Sequence, residues 1–117
     1  MKVRRILSIC FLFALYKIAE AYQLAEKVVG IADGDTLTIS NSSNAQHVIR
    51  LAGIDAPEHG QAFGAESEKH LTDLVLGENV NLDCSGEQSY GRLVCKVLLT
   101  NGEDVDLDQV KADMAWH

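Results

Sequence analysis

Apolar positions along this chain fall mainly into short alternating runs separated by polar turns, and two stretches instead keep a helical period. Lys27 to Ala32 and Thr36 to Ile39 read as strands joined by an Asp33-Gly34-Asp35 turn. A polar connection, Asn41 to Gln46, leads to a third strand carrying Val48, Ile49 and Leu51, with Ile54 just beyond. Gly53 marks a bulge or a close backbone approach, and Pro57 holds Ala56 extended, which ends the strand. Glu66 to Leu76 has helical spacing, with Leu71, Leu74 and Val75 on one side and Glu66, Lys69 and Asp73 on the other; Gly77 is the stop. Val80 to Cys84 and Leu93 to Leu99 are further strands, and Asn101-Gly102 is a hairpin signal. Asp106 to Trp116 predicts a second amphipathic helix with Leu107, Val110 and Met114 on one face. The expected class is α+β and mainly β. Five strands with a helix after the third is the order of an oligonucleotide-binding-type barrel (an OB-fold).

The first residues follow a different pattern. Lys2, Arg4 and Arg5 form a basic end, Ile6 to Leu15 an apolar run, and Ala19-Glu20-Ala21 a small-x-small cleavage site. Residues 1–21 therefore read as a secretory signal peptide and 22–117 as one domain. The competing reading, a membrane anchor, needs a longer apolar run. No membrane association is expected after cleavage, and the product would be secreted or periplasmic. Two cysteines stay in that product, Cys84 and Cys95, on strands flanking the Ser85–Gly91 loop. In an exported small domain a disulfide is the favoured reading, and with no third soft ligand nearby a metal site is not.

Charge complicates any link to polyanions. Loss of the leader removes Lys2, Arg4, Arg5, Lys17 and Glu20, leaving six basic against sixteen acidic residues. A nucleic-acid protein normally carries a basic footprint that supplies most of its non-specific affinity. Yet two of the six cations, Arg50 and Arg92, sit beside turns rich in chemistry.

Those turns are Asp33-Gly34-Asp35-Thr36, Arg50-Leu51-Ala52-Gly53-Ile54-Asp55-Ala56-Pro57-Glu58 and Tyr90-Gly91-Arg92. In that order they resemble the staphylococcal nuclease (thermonuclease) family, from about Ala25 to the last residue, and three ordered motifs are far more specific than one. The resemblance implies the same five-stranded barrel. It implies a calcium-dependent endonuclease acting on DNA and RNA with little sequence preference, as a monomer. Arg50 and Arg92 match the family's phosphate-clamping catalytic arginines, and Glu58 its general base. Asp35 and Asp55 match the calcium-binding carboxylates, Ala56 the backbone carbonyl ligand, and Tyr90 a tyrosine that touches a substrate phosphate. The resemblance also implies a further C-terminal helix beyond His117, so the chain reads as a truncated member.

The chemistry suits these residue types. Phosphodiester hydrolysis builds negative charge on phosphorus-bound oxygens, which planar guanidinium groups can clamp in parallel. A carboxylate can take a proton from the attacking water, and a hard divalent cation held by oxygens adds neutralisation. The alternative is a non-catalytic or inactive nucleic-acid-binding module on the same barrel. Each residue also has a plainer reading: a solvated Asp-Gly-Asp turn, an arginine snorkelling from a strand, an exposed turn acid. Asp33 is expected to be a turn-former, and His47, His59, His70 and His117 lack ligand spacing.

Overall fold

The computed structural model describes residues 26–117; the signal peptide expected at 1–21 lies outside them. The elements are β1 (Glu26–Asp33), β2 (Thr36–Ser40), β3 (Gln46–Leu51), α1 (Gly64–Val75), β4 (Asn79–Ser89), β5 (Arg92–Leu99) and α2 (Val105–Lys111). The strands close into a barrel in the order β1-β2-β3-β5-β4. All pairings are antiparallel except β3 with β5, where Ile49, Arg50 and Leu51 lie beside Leu93, Val94 and Cys95. That parallel pair brings Arg50 and Arg92, distant in sequence, to one end of the barrel.

The interior is filled by aliphatic side chains: Val28, Leu37, Ile39, Ile49 and Leu51 from the first three strands, Val80 and Val97 from the last two. Leu71 and Val75 of α1 are buried in the same core. The C-terminal end of α1 is hooked to β1, with Gly77 N–H donating to the Val28 carbonyl and Val28 N–H to the Glu78 carbonyl. Cys84 and Cys95 face each other across β4 and β5 and form the expected disulfide.

Three elements differ from the sequence reading. β4 runs on to Ser89, so most of the expected Ser85–Gly91 loop is strand, with a register shift between Cys84 and Gln88. Its outer half shows no apolar alternation because almost all of it faces water. The Asn101-Gly102 turn reverses the chain but leads into a helix, with an isolated bridge between Leu98 and Asp104. That helix spans seven residues, not eleven, and begins on an Asp104 cap whose carboxylate accepts the Leu107 N–H at 3.1 Å. Its buried face is Val105, Asp106 and Gln109, whereas Leu107 is exposed. Beyond it, Trp116 pairs with Asp55 through two 2.8 Å backbone bonds.

Candidate active site

The turn between β1 and β2 is held from behind. Gln109 of α2 is fully buried and its Nε2 donates to the Gly34 carbonyl at 2.7 Å and the Ser67 carbonyl at 3.2 Å. Its Oε1 meets the His70 ring. Ser67 packs so tightly on the turn that a Cβ on Gly34 would lie 1.7 Å from its Oγ. The glycine is therefore required by close approach. Asp33, expected only to form the turn, also accepts the His59 N–H at 3.0 Å, tying the turn to the loop after Pro57.

Asp35 is buried and fully engaged. Its Oδ1 accepts from the Thr36 hydroxyl at 2.8 Å and its Oδ2 from the Ala56 N–H at 2.9 Å, while its own carbonyl accepts the Leu51 N–H at 2.8 Å. Arg50, next to last in β3, places Nη2 3.3 Å from Asp35 and 2.5 Å from Asp55, and donates through Nη1 to the Leu51 carbonyl. Arg50 is largely covered, with 15% of its side chain exposed, whereas Asp55 shows 63%. Two carboxylates thus converge on one positive nitrogen at the rim of the barrel.

Arg92 is held differently. Its Nε donates to the Ser89 carbonyl at 2.9 Å, Nη2 to the Ser89 hydroxyl at 3.0 Å and Nη1 to the Thr36 hydroxyl at 3.2 Å. Thr36 therefore links the two arginines: Arg92 to Thr36, Thr36 to Asp35, Asp35 to Arg50. The Tyr90 ring lies 6.0 Å from the Arg92 guanidinium. Thr36 and Ser89 carry no role in the sequence reading, although the threonine of the first motif was the available signal.

Glu58 stands apart. It is exposed, and its carboxylate forms no ion pair among the described residues. Its backbone is fixed, however. Glu58 N–H donates to Gln61 Oε1, Gln61 N–H donates to the Glu58 carbonyl, and a Cβ on Gly64 would lie 2.1 Å from that carbonyl. A groove of about 360 Å³ beside Arg50 and Asp55 is lined in part by Glu87, Ser89 and Val94; Glu58 and Arg92 are not among its walls.

No group of three or more His, Cys, Asp or Glu stands at metal-binding distance among the described residues. Asp35 and Asp55 nevertheless offer hard oxygens to one cationic atom, and that donor chemistry fits a calcium ion completed by carbonyl and water oxygens. Among the described residues, the one acid strongly perturbed lies elsewhere. Asp106 is buried against Val97, and burial pushes its carboxyl up to about 7. Its Oδ1 accepts the Val97 N–H, while Oδ2 has no partner.

The family model for staphylococcal nuclease homologues matches residues 48–117, which contain Arg50, Asp55, Glu58 and Arg92. This chain belongs to the staphylococcal nuclease family. An uncharacterized endonuclease of Haemophilus influenzae is 40% identical over 109 residues, 93% of this chain and 61% of the relative. A micrococcal nuclease of Shigella flexneri is 35% identical over 99 residues, 77% of this chain and 56% of the relative. A probable staphylococcal-like nuclease of rice (Oryza sativa) is 31% identical over 105 residues, covering 85% of this chain and 31% of that protein. The chain spans about three-fifths of the two bacterial relatives.

Proposed function

We propose that this chain carries the catalytic barrel of an exported, calcium-assisted nuclease that cleaves DNA and RNA phosphodiesters with little sequence preference. The observation that carries the reading is the hydrogen-bonded series Arg92–Thr36–Asp35–Arg50–Asp55. It sets two guanidinium groups and two carboxylates at one barrel end, inside a nuclease family. The leader-like residues 1–21 support export.

In this reading Arg50 and Arg92 bind the scissile phosphate from two sides and neutralise the charge that grows on its oxygens. Glu58, on its braced turn, accepts the proton of the attacking water. Tyr90 contacts a substrate phosphate beside Arg92. A calcium ion bound by Asp35, Asp55 and the Ala56 carbonyl would add Lewis-acid neutralisation of the phosphate. The remaining work falls to the chain: Thr36 orients both Asp35 and Arg92, and the Ala56 N–H fixes the Asp35 carboxylate.

Cleavage of a labelled single-stranded DNA, with calcium and then with chelator, tests this. Chelation should abolish turnover, and Glu58→Gln should slow it by roughly 10²–10⁴-fold without lowering the melting temperature. Full activity in chelator would remove the metal from the reaction, and an unaffected Glu58→Gln would remove the base.

A further inference from the structure

Residues 26–117 contain three aromatic side chains, Phe63, Tyr90 and Trp116, and the core holds none of them. They are 71%, 99% and 54% exposed. Aromatic rings ordinarily supply much of a domain's buried area. Among the described residues, the barrel fills its core without an aromatic side chain and leaves all three of these rings open to solvent.

Phe63 and Tyr90 share a second feature. Both have left-handed backbone, φ 62 and φ 51, immediately before a glycine. For a bulky residue that conformation is an outlier, and such strain collects at functional sites. Each neighbours a residue of the motifs: the Tyr90 ring lies 6.0 Å from the Arg92 guanidinium, and Phe63 precedes the Gly64 that packs on the Glu58 carbonyl.

We propose that Phe63 is a base-stacking residue of this nuclease, receiving an unpaired nucleobase of the substrate strand on the Glu58 side of the site. The inference rests on the nuclease reading above. Charge leaves stacking a role: with six basic against sixteen acidic residues in 26–117, few cations beyond Arg50 and Arg92 are available to hold the rest of a strand. Stacking does not depend on the protein's charge and tolerates any sequence, because every base has a π-face. The ring needs a base free of its helix, so the occupant is single-stranded DNA or RNA.

The experiment uses the full chain carrying Glu58→Gln, so that the strand is not consumed, with calcium present. Anisotropy follows binding of a fluorescent single-stranded oligonucleotide and of the same backbone made with abasic sites. Adding Phe63→Asn should weaken the base-bearing strand by about 5- to 150-fold, the effect of one lost stack, and leave the abasic strand unchanged. Phe63→Trp should restore binding. Asn accepts left-handed backbone, so its melting temperature should not fall. Unchanged affinity for the base-bearing strand, or equal loss on both strands, would overturn the role of Phe63 while leaving the nuclease reading intact. Failure of the parent protein to bind either strand would sink both.

Discussion

Arg50 and Arg92 end up at the same barrel rim in opposite electrostatic states. Arg50 is largely covered and held by two carboxylates, so its positive charge is already matched. Among the described residues Arg92 donates only to neutral oxygens of Ser89 and Thr36, so no carboxylate offsets its charge. The difference separates two jobs within one motif set. Arg50 holds the acidic turn and the β3 end together. Arg92 is presented ready, fixed in direction by three donations that cost it no charge.

The largest expected effect that would break this contrast comes from Arg92→Ala. It should lower kcat by about 10²–10³-fold, the scale of one lost transition-state donor, with the melting temperature nearly unchanged. Arg50→Ala should also abolish most activity but, unlike Arg92→Ala, destabilise the fold by about 3 kcal/mol in urea titrations, because Asp35 stays buried without its cation. Equal stability losses in the two variants would erase the distinction. Away from the rim, Asp106 should make stability fall as pH rises. Its folded carboxyl titrates near 7 and its unfolded one near 3.8. The folded state therefore binds the extra proton between those values, and the stabilisation present at pH 4 is lost by about pH 7, on the order of a few kcal/mol. Asp106→Asn should flatten that slope in denaturation measured across pH. Smallest is the disulfide: reduction should cost about 3 kcal/mol or less, judged from its short loop, and loosen the β4–β5 hairpin that carries Tyr90 and Arg92 while sparing Arg50.

Much of the barrel was readable because its strands alternate and its turns carry Asp, Gly and Pro where the chain must reverse. The motif residues were readable for the same reason: they lie at strand ends. What escaped were contacts without a periodic signature. Gln109 and Ser67 are buried polar groups whose partners come from distant elements, so an apolar-face count picked out Leu107 and passed over Gln109, whereas Gln109 is buried and Leu107 exposed. Gly34 looks like a turn glycine but is demanded by Ser67. The outer half of β4 is polar on both faces and held by pairing to β5, which hydrophobic pattern does not report. Asp33 passed for a local turn-former, although its acceptor role reaches to His59.

The bond from Gln109 to the Gly34 carbonyl joins residues 75 positions apart. In a chain synthesised from its N-terminus, the Asp35 turn is made early but lacks its rear support until α2 has emerged and docked. A contact of such range closes a long loop, whose entropy is lost before the bond can offset it. The rim that carries Asp35 and Arg50 therefore reaches its final geometry only after α2 has docked.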